Sequence, residues 1–482
     1  MTEAAAGDIR IGTPTGRAVI AAATLGSGLA LLDGTVVNVA LKTIGEDLDA
    51  TLAELQWISN GYLLSMASLI LLGGSLGDRF GRRRIFVLGT AWFAAASLLC
   101  GLAPNAETLI VARILQGIGA ALLTPGSLAM IQGVFVAEHR ARAIGAWSGL
   151  GSIAAALGPF LGGGLVEYAH WRWIFLVNLP PAVLTIWIAT RSVPESRDPQ
   201  ASSHFDIPGG LLATASLGGM TYALIQWGDD LAPYAAALAV LAGVGFIMVE
   251  RRVREPMLQL GIFADRTFSA ANAMTLLVYA ALGAALFFIT LQLQTVSGYG
   301  PLAAGLASLP ITICMLFLAA RGGALATRIG PRIPMAFGPV VMAAGTLMWL
   351  AIGSDVNYWT DVLPGMTVFG LGLALLVAPL TATVLAAAPD EHAGIASGVN
   401  NALARAGSLL AIAALPVAVG LGGEEYADPA AFDDGYRSAL VICAVLLTVG
   451  GLVSWLTIRT KVLEEEKEEV HAFRECDRGV PG

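Results

Sequence analysis

Between residues 56 and 103 two apolar runs of membrane-spanning length are separated only by Gly74-Ser-Leu-Gly-Asp78-Arg79-Phe-Gly81-Arg82-Arg83-Arg84. Four arginines within six residues have no place in hydrocarbon, so the cluster must surface between two spans, and positive charge there marks the cytoplasmic side. The pattern returns 249 residues later as Gly323-Ala-Leu-Ala-Thr327-Arg328-Ile-Gly330-Pro-Arg332. A chain that repeats a surfacing loop at this distance is built from two related halves. Thr327 stands where Asp78 stood, so the second copy is degenerate.

Composition agrees. Hydrophobic residues make up 56% and charged residues 13%, where soluble domains carry about 25% charged residues. Windows of about 20 apolar residues, each able to cross a core of roughly 30 Å, give fourteen expected spans, near 18–41, 56–77, 84–103, 107–132, 141–165, 172–190, 206–227, 232–250, 269–294, 302–326, 334–353, 360–387, 394–418 and 437–458. The even count puts both termini on one side. Of the 27 basic residues, 22 then fall on the N-terminal side, three on the other (Lys42, Arg172, Arg437) and two inside spans (Arg113, Arg405), so both termini are expected in the cytoplasm. The opposite loops are acidic, through Glu46, Asp47, Asp49, Asp229, Asp230, Glu424, Glu425, Asp433 and Asp434. The net charge of −8 resides in loops and a tail and points to no nucleic-acid partner. The first apolar segment is too long for a cleaved leader and carries Asp33. Four scattered cysteines and five histidines have no ligand spacing, so neither a metal nor a cofactor is expected. The excess of arginine over lysine, amid abundant alanine and glycine, suggests a bacterial source.

Equivalent loops follow spans two and ten, so eight spans separate equivalent points. Two six-span bundles with an inserted pair fit that count: residues 1–190, then linkers and the inserted helices over 191–268, then 269–458. An acidic tail over 459–482 reads as a solvated, fraying helix. Gly117-Ile-Gly119-Ala-Ala-Leu-Leu-Thr-Pro125 in span four matches Gly370-Leu-Gly372-Leu-Ala-Leu-Leu-Val-Ala-Pro379 in span twelve. Pro194-Glu195-Ser-Arg197 and Arg251-Arg252-Val-Arg254-Glu255-Pro256 read as linkers at the membrane surface.

An ionisable residue inside a span normally faces the protein interior and has a function there. Asp33 in span one lies roughly 22 Å from the cytoplasmic surface, and Arg113 about 9 Å below the outer end of span four, at 1.5 Å of rise per residue. The two depths are similar. Such a pair fits either a proton relay or a permanent ion pair locking spans one and four. Arg405, near mid-depth in span thirteen, fits either an anionic cargo group or an internal partner. Gly158-Pro159-Phe-Leu-Gly162-Gly163 in span five combines a deleted backbone hydrogen bond with close helix approach. Asn38, Tyr62, Gln116, Gln292 and Gln294 are tolerated within spans only beside a wet cavity or a partner. Together with Arg405 they suggest a large, mainly apolar cavity for lipophilic or amphipathic cargo.

These residues resemble the major facilitator superfamily, and within it the fourteen-span drug:proton antiporters. Gly74 to Arg84 is similar to the signature between spans two and three, and Arg113-Ile-Leu-Gln116-Gly117-Ile-Gly119 to the span-four motif associated with proton coupling. Gly158 to Gly163 resembles the span-five antiporter motif. Leu32-Asp33-Gly-Thr35-Val-Val-Asn38-Val-Ala40-Leu41, Trp171-Arg172-Trp173-Ile-Phe-Leu-Val-Asn178-Leu-Pro180 and Gln294 to Pro310 resemble segments of the fourteen-span branch. Lys42 departs from that pattern, where proline is usual.

The resemblance implies an all-α integral membrane protein of the major facilitator fold, with fourteen transmembrane helices. It implies that Asp33 carries a proton tuned by Arg113, that Gly158, Pro159, Gly162 and Gly163 shape the bundle interface, and that Asp78, Arg79, Gly81, Arg82 and Arg83 form a conformational gate. Asp78 is expected against the start of span thirteen near Gly394. The expected activity is proton-coupled export of lipophilic small molecules from a bacterial cytoplasmic membrane, by a monomer and without enzymatic chemistry. A dedicated lipid or natural-product exporter, or a non-transporting membrane sensor or scaffold, are the alternatives.

Overall fold

The computed structural model describes residues 9–197, 206–253, 256–388, 393–421 and 428–459. The expected acidic tail, the loop acids Glu424 and Glu425, and Arg254 and Glu255 lie outside the described residues.

Sixteen α-helices run along the described chain. They are α1 (Pro14–Leu48), α2 (Leu52–Phe80), α3 (Arg82–Leu102), α4 (Ala106–Val134), α5 (Ala137–Tyr168), α6 (Trp173–Leu176), α7 (Leu179–Ser192) and α8 (Ile207–Ile225), followed by α9 (Ala232–Glu250), α10 (Arg266–Thr295), α11 (Pro301–Ala307), α12 (Leu309–Ile329), α13 (Arg332–Met348), α14 (Leu363–Ala386), α15 (Ala393–Ala418) and α16 (Pro429–Thr457). Side chains set many of the boundaries. Thr51 and Glu54 form a reciprocal capping box that starts α2. Asn105, Asp206, Asp265 and Asp428 accept from first-turn N–H groups of α4, α8, α10 and α16.

Twelve helical segments are long and apolar enough to cross a membrane, with α6 and α7 counted as one span and α11 and α12 as another. This differs from the expected fourteen, because α5 and α8 are not among them. In α8, glycines and hydroxyls (Gly209, Gly210, Thr214, Ser216, Gly218, Gly219, Thr221) dilute the apolar character.

The repeat seen in the sequence is also a repeat in packing. A Cβ on Gly73 of α2 would lie 2.2 Å from the Ala121 carbonyl of α4, and one on Gly322 of α12 would lie 2.4 Å from the Ala374 carbonyl of α14. Likewise a Cβ on Gly119 would meet the Phe93 nitrogen at 2.6 Å, and one on Gly372 the Met342 nitrogen at 2.6 Å. Gly73, Phe93, Gly322 and Met342 obey the 249-residue offset, so the same close crossings recur where helices can touch backbone to backbone. Helix α8 packs on α9 and also against α2 and α15, which puts it on a seam between N-terminal and C-terminal helices.

The charged loop is anchored by a segment that reads in sequence as a linker. Glu195 accepts from the Arg83 N–H at 3.0 Å and lies 3.7 Å from both the Arg83 and Arg84 guanidinium nitrogens. Gly81 adopts φ 116°, and a Cβ there would stand 2.7 Å from that carboxylate. Arg83 also donates to the Val193 carbonyl beyond the end of α7 at 2.9 Å. Its repeat partner Arg332 donates to the Trp455 carbonyl in the last turn of α16 at 2.7 Å and lies over the Trp455 ring. Both arginines thus hold the C-terminal end of a helix, where a cation is electrostatically favoured.

Candidate functional site

Asp33 of α1 is fully buried, and four helices supply its surroundings. Arg113 of α4 donates from Nη1 to Asp33 Oδ2 at 2.5 Å. Gln116, one helical turn further along α4, donates from Nε2 to Asp33 Oδ1 at 2.8 Å and to Ser97 Oγ of α3 at 2.8 Å. Asn178, immediately before α7, donates from Nδ2 to Asp33 Oδ1 at 3.2 Å. Arg113 is itself satisfied: Nη1 also reaches Gln116 Oε1 at 2.5 Å, and Nε reaches the Ile58 carbonyl of α2 at 3.0 Å. Its guanidinium lies 4.5 Å from the Tyr62 ring centroid and 5.7 Å from that of Phe175, within cation–π range. Tyr62 in turn donates to the Ala30 carbonyl at 3.1 Å.

Asp33, Arg113, Gln116 and Tyr62 were legible as separate polar residues, and the structure brings them into one cluster. Ser97 and Asn178 complete it and were not expected in it. Asn178 ends the stretch Trp171 to Asn178, and that stretch works as a strap. Trp171 Nε1 and Arg172 Nη1 hold Asp47 in the last turn of α1, at 2.8 and 3.1 Å, while Phe175 covers Arg113 and Asn178 reaches Asp33. A carboxylate facing an arginine and two amides in a dry interior is a site where gain or loss of one proton repolarises four helices at once.

The span-five glycines divide between two neighbours. A Cβ on Gly158 or Gly162 would run into Thr35 or Val36 of α1, whereas one on Gly163 would stand 2.6 Å from the Leu302 Cα of α11. From the other side, a Cβ on Gly305 of α11 would stand 2.2 Å from the Pro159 carbonyl oxygen. Pro159 and Gly163 therefore form the surface on which α11 rests.

Gln292 and Gln294, expected beside a cavity or a partner, have protein partners at the end opposite the charged loop. Gln292 donates to Asp433 Oδ1 at 2.5 Å and to the Ile352 carbonyl at 3.2 Å. Gln294 donates to the Val39 carbonyl at 2.9 Å, while its own carbonyl accepts from Lys42 Nζ at 2.8 Å. Asn38 accepts from Ser59 at 3.3 Å. Asp78 bonds to Arg82 of its own loop at 2.7 Å; the segment that leads into α15 near Gly394, where a contact is expected, includes residues outside the described ones. Arg405 is partly buried in α15.

Hydrogen bonds join the N-terminal and C-terminal helices at the end opposite the charged loop. Among the described residues they are the two between Lys42, Gln294 and Val39, those from Gln56 to the Ile412 and Ala413 carbonyls at 2.7 and 3.3 Å, and that from the Leu302 N–H to Glu167 at 3.0 Å. These five bonds make that end a bonded face.

The Major Facilitator Superfamily model matches residues 23–412. The chain is 36% identical over 472 residues to the puromycin resistance protein pur8 of Streptomyces alboniger, covering 93% of this chain and 92% of that protein. It is 35% identical over 456 residues to the methylenomycin A resistance protein of Bacillus subtilis, covering 92% and 94%. With the multidrug resistance protein Stp of Mycobacterium tuberculosis it shares 37% identity over 398 residues, covering 81% and 73%. Among solved structures, a bacterial homologue of the human lysosomal transporter Spinster, inward-facing and unoccupied, superposes with a TM-score of 0.64 at 17% identity, covering 94% of this chain and 98% of that one. The inward-open xylose transporter XylE from E. coli gives 0.62 at 15% identity, covering 92% and 96%. At such identities the likeness is one of fold.

Proposed function

The chain belongs to the Major Facilitator Superfamily, and on that footing we propose that it is a proton-coupled exporter of lipophilic or amphipathic small molecules, working by alternating access. The buried Asp33 carboxylate, tied to Arg113 and to two amides from different helices, carries this reading. Relatives named for resistance to puromycin, to methylenomycin A and to multiple drugs support export as the direction.

In this reading fourteen helices cross a bacterial cytoplasmic membrane with both termini in the cytoplasm, as two six-helix bundles and the inserted pair α8 and α9. The chain acts as a monomer. The bonded face is then the outer one, and cargo enters from the cytoplasm or inner leaflet. Cargo displaces the proton of Asp33 in the state open to the cytoplasm, the outer bonds around Lys42 and Gln294 part and the bundles rock; after cargo leaves, protonation of Asp33 from outside releases Arg113 from its counter-ion and resets the cycle. One proton moving down about 180 mV supplies roughly 4 kcal/mol, enough for a cargo gradient on the order of a thousandfold.

The test is efflux from cells lacking their own pumps, loaded with lipophilic dyes. Export that collapses with an uncoupler and survives ATP depletion supports the reading, and export that follows ATP alone would sink it. A dedicated lipid or natural-product exporter shares the mechanism and differs in cargo range, which the same dye panel reads.

A further inference from the structure

Arg113 and Arg405 both lie deep within spans, and they are treated in opposite ways. Arg113 has a carboxylate, an amide oxygen, a backbone carbonyl and two aromatic faces. Arg405 lies ten residues into the span Ile395–Ala418, about 15 Å along the helix axis from its start, and makes no hydrogen bond or ion pair among the described residues. It is partly exposed rather than sealed in the core. A guanidinium at this depth is expensive unless it meets a counter-charge or opens on a wet cavity, and its planar fork matches a carboxylate.

The surroundings suit a ligand with an acidic group on an apolar or aromatic body. Helix α15 meets α2 at Gly398 against Leu71 and at Ile412 against Gln56. Arg405 lies midway between those contacts and on the same helical stripe. It is within electrostatic reach of the phenol groups of Tyr62 on α2 and Tyr279 on α10, and Ser408, one turn further along α15, donates to the Tyr279 carbonyl at 2.8 Å. Asn60, one turn from Gln56 on α2, is fully buried, and neither its amide nitrogen nor its oxygen has a hydrogen-bond partner among the described residues. One turn apart, Asn60 and Gln56 share a face of α2, the face that meets α15 at Ile412. Tyr62 also lies against Arg113, which links this place to the Asp33 cluster through one ring.

We propose that Arg405 recognises an anionic group of the cargo, a carboxylate or acidic phenol on an amphipathic molecule, within a site completed by Tyr62, Tyr279 and Asn60. This rests on the export reading for its biological sense, but the site is defined by binding alone. The mid-span depth favours a small molecule over a lipid phosphate, which sits at the bilayer surface.

The experiment measures binding of pyrenebutyrate and of its methyl ester to purified protein in phosphatidylcholine nanodiscs, for wild type, Arg405→Gln and Arg405→Lys, with empty nanodiscs as the partition control. A charge-assisted contact predicts acid binding about tenfold to a hundredfold tighter than ester, with the preference lost in Arg405→Gln and partly kept in Arg405→Lys. Equal affinities in wild type, or a preference that survives in Arg405→Gln, would overturn the assignment. So would a preference abolished on replacing phosphatidylcholine with phosphatidylglycerol, which would give the site to lipid. Proton-dependent flux of the acid, measured in parallel in liposomes, tests the export reading separately: selective binding without flux leaves the site standing and removes the exporter.

Discussion

Gly305→Ala is the sharpest perturbation of the bonded face. A methyl at residue 305 would lie 2.2 Å from the Pro159 oxygen and 2.9 Å from the Pro159 carbonyl carbon. Both atoms are backbone, so no side chain can rotate away. Ordinary contact requires roughly 3.5 Å, so α11 must retreat from α5 by about 1 Å. The Leu302 N–H to Glu167 bond, 3.0 Å long and one turn away on the same helix, then falls outside hydrogen-bond range. Overpacking of this kind costs about 1–3 kcal/mol, and a cost borne only where the two helices meet moves a two-state equilibrium about 5- to 150-fold. Spin labels at Glu107 and Asp434, exposed positions on the bonded face in opposite halves, read the outcome by pulsed dipolar spectroscopy in nanodiscs. Gly305→Ala should add a longer-distance population absent from wild type. Gly164→Ala, where a Cβ meets nothing within 4 Å, should leave the distances unchanged. Folded Gly305→Ala protein with wild-type distances would refute the view that this crossing holds the face shut.

Other expectations follow from the same geometry. Asp33→Asn leaves Arg113 buried beside a neutral partner, a loss worth about 3–5 kcal/mol when a buried pair is broken, so the double variant Asp33→Asn/Arg113→Gln should melt higher than Asp33→Asn alone; a lower midpoint would contradict the pair's energetics. Lys42→Met removes the Nζ contact to the Gln294 carbonyl and should shift the same spin-label distances in the direction of Gly305→Ala, by a smaller amount. Gly81→Ala combines φ 116° with a Cβ 2.7 Å from the Glu195 carboxylate; at about 1–3 kcal/mol of strain it should lower thermal stability, and Gly81→Ala/Glu195→Ala should recover part of that loss. Asp78→Asn should slow transport with insertion intact, and normal transport at normal expression would remove Asp78 from the gate.

Residues whose partners are dictated by charge could be read from the chain. Asp33 and Arg113 declared themselves because ionisable groups in hydrocarbon need each other and their depths agreed. The 249-residue repeat declared itself through the charged loop, and the matching crossings at Gly73 and Gly322 show the same register in space. Neutral polar residues were harder to assign. Gln116 joined the carboxylate, while Gln292 and Gln294 bonded to helix and loop partners, because an amide in a span is satisfied equally by a cavity or by a neighbouring helix. Ser97 and Asn178 were missed because only the packing of α3 and α7 brings them to Asp33; the sole signal was that Asn178 closes the Trp171 strap. Glu195 read as part of a linker, since nothing in its local sequence points to a loop 112 residues earlier. Apolar length foresaw fourteen spans where, among the described residues, twelve segments reach membrane-spanning character; of the two others, α8 spends many positions on glycine and hydroxyl groups.

The most direct measurement of the coupling at Asp33 uses purified protein in liposomes holding a pH-sensitive dye, with wild type and Asp33→Asn compared as lipophilic cations, neutral amphiphiles and amphipathic acids are added in turn. Cargo-dependent proton movement in wild type, abolished in Asp33→Asn, is the predicted result. Proton movement that persists undiminished in folded Asp33→Asn protein would contradict it, and would move the coupled proton away from the cluster of Asp33, Arg113, Gln116 and Asn178.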